Sequence, residues 1–301
     1  RFFDTRAGRP ASRGTSSLTD FYTMHKPTDG EHADAEPMPL TEWSDADARD
    51  LIRARTLLES PGIAAKIADI LGGPLESALN KLSKAQRGSI EKATVAALER
   101  AVGVADWPLD DEPGRESSSL LHMLAAGFSG AVGGAMGLAA LPIELPASTG
   151  LMIRSMGDIA RSEGERMNDP GLPAELLSVF AMGGSSSSDD GAESGYFAVR
   201  AALAAAVTRA AESIAAKGGS AVEGPVLARL IASVAQRVQV QVTQKAAAQI
   251  VPVIGGVSGA AINTLFMDNY QSMARGHFIV RRLERKYGSV ATRSQFCSAP
   301  S

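Results

Sequence analysis

The stretch AAGFSGAVGGAMGLAALPIELP, residues 125–146, decides how this chain can fold. Glycine and alanine dominate it, and it closes on a glutamate that stands between Pro142 and Pro146. Small residues four positions apart, such as Gly130 and Gly134, let two helix backbones approach closely. The two prolines interrupt regular helix. The stretch therefore predicts a close-packed helix that ends in a proline-framed break.

A second Gly/Ala-rich segment repeats this pattern further along the chain. No residue with a fixed charge occurs in 120–143 or in 246–267, and each run is long enough to cross a hydrocarbon layer of ~30 Å. Abundant small residues, together with Pro142 and Pro252, weaken the drive for insertion. A packed soluble core and a hairpin that inserts into or docks on a membrane therefore both stay open. We predict close helix packing at Gly130, Gly133, Gly134, Gly137, Gly255 and Gly259.

Composition and motifs exclude several classes of function. A net charge of −3, a pI near 5.9 and 5% aromatic residues disfavour a dedicated nucleic-acid binder. The single cysteine, Cys297, excludes an internal disulfide and a thiolate zinc cluster. The glycines match neither G-x-x-x-x-G-K-[ST] nor G-x-G-x-x-G, and no predicted strand leads into them, so a phosphate loop is disfavoured. We expect no metal site and no cofactor.

The periodicity of apolar residues predicts an all-α chain, a multi-helix bundle with two central Gly/Ala-rich helices and no significant β-sheet. Residues 1–43 are predicted to form a flexible or partner-wrapping arm, and 44–288 a single helical domain. Within that domain the Ser/Gly-rich segment 183–195 is expected to be a mobile loop, and 289–301 is interpreted as a C-terminal tail. Ser44 is the predicted N-cap of the first helix, which Pro61 and Gly62 end. Further helices are predicted over 63–71, 74–82, 84–103, 117–141, 147–166, 173–181, 194–217, 225–250 and 256–287.

Two helices with polar stripes carry the candidate site residues. On the first, Glu144 lies in an apolar break, where a charge must be solvated, paired or protonated. It could be an ion or proton site, a general base, or a partnered structural carboxylate. Arg154 and Asp158 follow on one stripe, either as a solvated salt-bridge face or facing inward toward the second helix. That second helix carries Asn263, Asp268, Arg275 and His277.

Three long strings resemble the EcsC protein family, and the resemblance covers roughly residues 85–288. They are GFSGAVGGAMGLAALPIELPASTGLMIRSMGDIARSEGE, ESGYFAVRAALAAAV and AAQIVPVIGGVSGAAINTLFMDNYQSMARGHFIVRRLERKYG. The resemblance implies a bacterial protein from a family named for a component that accompanies an ABC transporter linked to secretion. It also implies that a Pro-flanked Glu, an Arg-x-x-x-Asp pair and an Asn…Asp pair belong to the family pattern. Here these are Glu144, Arg154, Asp158, Asn263 and Asp268.

We favour a non-enzymatic helical protein that docks on a membrane or on a protein assembly, accessory to transport or secretion. The alternative is a hydrolase or metal-dependent enzyme with a polar centre formed by Glu144, Asp158, Asp268 and His277. The expected partners are a membrane surface or a protein, not nucleic acid, and a homo-oligomer could form through the N-terminal arm. The expected location is the bacterial cytoplasm, with peripheral attachment to the inner membrane as one version of it.

Overall fold

Ten α-helices and one 3₁₀ turn account for nearly all of the chain that the computed structural model describes. The described residues are 43–105, 137–183, 195–216, 224–249 and 255–299, and none of them lies in a β-strand. This confirms the all-α prediction. Residues 1–42 of the predicted arm, most of the loop 183–195, and Gly130, Gly133 and Gly134 lie outside the described residues.

Most helices have bounds close to the predicted ones. The predicted helix over 117–141 lies outside the described residues up to 136, and its last five residues form a 3₁₀ turn and the first residue of the next helix. The helices are α1 (Asp45–Leu58), α2 (Ile63–Leu71), α3 (Gly73–Lys81), α4 (Lys84–Ala105), α5 (Leu141–Ser162), α6 (Leu172–Met182), α7 (Gly195–Ala216), α8 (Pro225–Ala248), α9 (Gly255–Tyr287) and α10 (Ser289–Ser298). The 3₁₀ turn, Gly137–Ala140, leads directly into α5. Gly137, Gly255 and Gly259 thus lie in helical backbone, and their packing stays a prediction.

The largest difference from the sequence prediction is the start of α5. Helix α5 begins at Leu141 rather than at 147, so the prolines lie inside it instead of framing a break. Pro142 falls in the first turn, where a backbone N–H has no helical partner to lose. Pro146 removes only the bond to the carbonyl of Pro142, and burial of the following turns outweighs this loss.

The segment predicted to be a tail contains α10. Gly288 ends α9 in a left-handed conformation, with φ +83°, as its position after a basic last turn predicts. The chain then starts a new helix whose Phe296 ring is fully buried against Phe197 and Tyr196. With only ten residues and a single fully buried aromatic side chain, α10 has too weak a periodicity to stand out in the sequence.

Helices α5 and α9 run parallel and share polar contacts along their length. Asn263 Nδ2 donates to Glu144 Oε1 at 2.9 Å, and further on Gln271 Nε2 donates to Ser155 Oγ at 2.8 Å. Just beyond the end of α5, Glu165 Oε1 accepts from Arg281 Nε at 2.9 Å. Residue numbers rise together on both helices, so both start at the same end of the pair. We call this the amino end.

The other helices surround this pair. Helix α4 packs along α5 and α8, α1 packs antiparallel along the second half of α9, and α6, α7 and α8 contact one another in turn. The buried apolar residues of these elements form one continuous core. Lys245, near the end of α8, contacts Glu144, near the start of α5, so α8 finishes at the amino end.

Candidate functional site

The amino end holds a buried ion pair that joins three helices. Lys245 Nζ donates to Glu144 Oε1 at 2.8 Å, and the two side chains are only 1% and 4% exposed. Asn263 Nδ2 donates to the same oxygen, and Lys245 Nζ also lies 3.3 Å from Ser148 Oγ. The ammonium stands 5.3 Å from the centroid of the Phe266 ring, a cation–π distance. Helices α5, α8 and α9 therefore meet at one carboxylate.

The electrostatics keep Glu144 ionised. Burial raises the pKa of its carboxyl, but the adjacent Lys245 ammonium outweighs this, and Asn263 and Gln249 act in the same direction. The net pKa lies below the ordinary value of 4.5. A carboxylate with a lowered pKa that is paired with a lysine is a poor general acid or base at neutral pH. The pair is suited to joining helices.

A small cavity lined by described residues adjoins the ion pair. A cavity of about 20 Å³ reaches Lys245 and is lined otherwise by apolar side chains, together with Thr94, Thr149 and Tyr270. That volume holds about one water molecule. Through this cavity, the described residues leave no room at Lys245 for a substrate larger than water.

The opposite face of α5 lies open. Ile143, the neighbour of Glu144, is 79% exposed, and Pro142 and Ala147 are exposed with it. Between this face and α4 runs a groove of about 400 Å³. Its lining consists of Pro142, Ile143, Pro146, Ala147, Gly150 and Leu151, with Arg100 and Arg154. The first turns of α5 thus place a buried charge on one side and an apolar surface on the other.

Of the predicted site residues, the structure brings Glu144 and Asn263 together and places the others elsewhere. Asp158 is buried and pairs with Arg161 one turn along α5, while Asp268 is exposed on α9. Asp158 lies 14 positions after Glu144 on the same helix, which at 1.5 Å per residue is about 21 Å. His277 lies 14 positions after Asn263 on α9, again about 21 Å away. Arg154 lines the groove, and Arg275 Nη1 lies 3.9 Å from Glu163 Oε1.

His277 belongs to a separate buried cluster. Its ring is fully buried, with Nδ1 3.0 Å from the Tyr196 hydroxyl and Nε2 3.4 Å from Glu175 Oε2. Burial lowers the pKa of His277, and the attraction of Glu175 does not restore it. Burial raises the pKa of Glu175, but His277 and Arg281 outweigh this and hold it at about 2. The imidazole is therefore neutral at neutral pH.

Ion pairs concentrate at the far end of the α5/α9 pair. Arg281 bridges Glu165 and Glu175, and Arg285 also contacts Glu165. Helix α1 joins this end through Asp47 Oδ2, which accepts from Lys286 Nζ at 2.6 Å and from the Tyr287 hydroxyl at 2.7 Å. The charged far end contrasts with the apolar groove at the amino end.

Sequence reasoning missed Lys245, although a signal was present. The buried residues of α8 include Leu227, Ile231, Val234, Val238 and Val242, spaced three or four positions apart. Lys245 continues that spacing on the apolar face. A single cation on a helix face that is otherwise apolar needs a buried anion, and Glu144 was the unassigned candidate.

Within the described ranges, no cluster of three or more His, Cys, Asp or Glu side chains could hold a metal ion. No described helix is both long enough and apolar enough to cross a membrane.

These features define a class: an all-α protein built on two parallel helices, with a buried Glu–Lys pair at one end and ion pairs at the other. The chain belongs to the EcsC protein family, whose sequence profile matches residues 63–283. The match starts about one helix pair earlier than the resemblance predicted, since it includes α2 and α3. No curated protein and no solved structure matches the chain significantly.

Proposed function

We propose that this protein is non-enzymatic and docks on a membrane surface through the start of α5. The observation that carries the proposal is the exposure of Ile143, which is 79% accessible beside an apolar groove. Large apolar side chains that are exposed beside further apolar surface are typical of interaction sites. The rigid pairing of Glu144 with Lys245 directly behind Ile143 fixes the orientation of this turn.

A lipid surface fits the amino end better than a protein partner does. Both uncharged runs of the sequence, 120–143 and 246–267, lead to this end, because the first finishes at the start of α5 and the second joins α8 to α9. Arg100 and Arg154 line the same groove and supply positive charge for lipid phosphates. An apolar insertion combined with cations is the pattern of proteins that lie on anionic membranes.

We extend this proposal to location and role. A peripheral protein of this kind would act in the bacterial cytoplasm at the inner membrane, accessory to transport or secretion. A homo-oligomer through residues 1–43 stays a prediction. The enzymatic alternative, with Glu144, Asp158, Asp268 and His277 as one centre, has less support, because Glu144 lies about 21 Å along α5 from Asp158 and Asp268 is exposed on α9.

Co-sedimentation with vesicles tests the proposal. The full chain is mixed with phosphatidylcholine vesicles that do or do not contain phosphatidylglycerol, and the bound fraction is measured by centrifugation. We expect binding that increases with anionic lipid. Ile143→Asp should weaken it about tenfold or more, because an inserted aliphatic side chain is lost and a charge is added.

Val290 provides the matched control, since it is 83% exposed but lies on α10. Val290→Asp should bind vesicles like the unmodified chain. Docking through α5 is rejected if neither vesicle type retains the protein, or if both variants lose binding equally. Retention on a protein partner that Ile143→Asp abolishes, without retention on vesicles, would assign the surface to protein docking instead.

A further inference from the structure

We infer that the groove between α4 and α5 binds the acyl chain of an anionic amphiphile, with its head group at Arg100 and Arg154. The inference deepens the proposed membrane docking, on which it rests, by naming the class of lipid component that the surface takes up. Three features of the groove carry it: its apolar floor, its size and the sign of its charge.

The floor of the groove is one apolar stripe of α5. Pro142, Pro146 and Gly150 are four positions apart, and Ile143, Ala147 and Leu151 repeat that spacing beside them. Residues at this spacing share a helix face. From Pro142 to Arg154 the stripe extends about 18 Å at 1.5 Å per residue. A straight alkyl chain matches such a long, apolar strip.

The size of the groove suits a small molecule better than a flat protein contact. Its volume of about 400 Å³ lies in the range of ligand-binding clefts, roughly 300–1,000 Å³. Gly150 contributes no side chain to the middle of the floor, and Ala147 contributes only a methyl group. The side chains of the stripe itself therefore leave space along its length rather than at one point.

The charge of the lining selects an anionic head group. Among the described residues, both ionisable side chains that line the groove are arginines, and Arg100 is exposed near the end of α4. Guanidinium groups bind carboxylates and phosphates through paired hydrogen bonds. The nearest acid on the stripe's own turn, Glu144, points to the core and is neutralised by Lys245, so it does not repel an anion. A cationic or neutral head group cannot form such charge-assisted hydrogen bonds with the arginines.

Titration calorimetry of the full chain with soluble amphiphiles tests the inference below their micelle concentrations. Dodecanoate and dodecyl phosphate distinguish a carboxylate head from a phosphate head. Dodecanol and dodecyltrimethylammonium test the need for negative charge, and inorganic phosphate tests the need for the chain. We expect binding of at least one anionic amphiphile and none of the other three compounds.

Two substitutions locate the site. Ala147→Phe places a ring over the floor at an exposed position and should weaken binding about tenfold or more without disturbing the core. Arg100→Gln should weaken it by a similar factor because a charge-assisted contact is lost. Arg229, exposed on α8, is the matched control, and Arg229→Gln should leave the dissociation constant unchanged.

The outcomes separate this inference from the proposed function. Equal binding of the cationic and anionic amphiphiles, or unchanged binding by Ala147→Phe, overturns the inference. Vesicle binding without amphiphile binding retains membrane docking and rejects the groove as a lipid site. Amphiphile binding with the predicted dependence on Ala147 and Arg100, but without vesicle binding, retains the groove site and rejects docking.

Discussion

Glu144 and Lys245 are the residues whose surroundings most change the interpretation of this chain. Desolvating two charges costs several kcal/mol per ion, and their attraction offsets this only when the remaining hydrogen-bonding atoms are also satisfied. Here Asn263 and Ser148 supply part of these contacts, and the Phe266 ring lies near the ammonium, while Glu144 Oε2 has no hydrogen-bond partner among the described residues. The pair holds α5 and α8 in one arrangement because neither charge can leave the other without entering an apolar core.

Removing both charges should therefore cost less stability than removing one of them. Lys245→Met leaves a buried carboxylate without its partner and should lower the free energy of unfolding by about 3–5 kcal/mol. The double variant Glu144→Gln with Lys245→Met removes both charges and should recover most of that loss. Urea denaturation followed by circular dichroism measures both. If the double variant is as unstable as the sum of its single changes, the two residues act independently.

The contact between α1 and α9 shows how a glycine determines the approach of two helices. A methyl group on Gly276 would lie 2.6 Å from Leu58 Cγ and 3.1 Å from the backbone oxygen of Ala54. The second contact involves backbone, so a side-chain rotation cannot relieve it. Close packing by glycine was expected in the Gly-rich runs, and this described example lies in a charged, polar part of α9.

Gly276→Ala should destabilise the protein by about 1–3 kcal/mol, since overpacking outweighs the gain in helix propensity. Gly88, in α4, offers a matched control because nothing lies within 4 Å of an added methyl group. Gly88→Ala should stabilise the protein by about 0.5–1 kcal/mol. Thermal denaturation of both variants measures these stability changes. If Gly276→Ala does not change the stability, α1 can move away from α9.

Buried titratable groups on several helices make the stability of the fold depend on pH. The pKa of His277 is lowered by burial, so the unfolded chain takes up that proton first as the pH falls. Burial raises the pKa of Asp47, but hydrogen bonds from Lys286, Ser44 and Tyr287 outweigh it and hold the pKa at about 2. The pKa of Glu175 is likewise held at about 2. Burial raises the pKa of Glu163, so the effect of this group on stability at low pH has the opposite sign.

Stability should consequently decline in two steps on acidification. The first, below about pH 6.5, comes from His277, and the second, from about pH 4 to pH 2, comes from Asp47 and Glu175. Urea midpoints measured from pH 7.5 to pH 3 follow both steps. In His277→Gln the loss between pH 7 and pH 5.5 should vanish while the lower step persists. An unchanged upper step would assign it to another group.

Much of the fold followed from local patterns. Helix α2 begins and ends at its predicted residues, and Ser44 caps α1 by accepting from the backbone N–H of Asp47. Helical hydrogen bonds join residues four apart, so a short window of sequence contains most of the information that starts or stops a helix. The start of α5 was predicted wrongly because burial of its later turns outweighs one hydrogen bond lost at Pro146.

The sequence alone established the all-α class, most helix bounds, the family and the unusual position of Glu144. The fold had to supply the partners: Lys245 is 101 positions from Glu144, and Tyr196 is 81 positions from His277. Only the fold shows that Pro142 and Pro146 lie within α5 and line a groove, rather than forming a break between helices. Side-chain pairing across such distances depends on which helix faces pack together, and that is settled by burial summed over the whole core rather than by any local pattern.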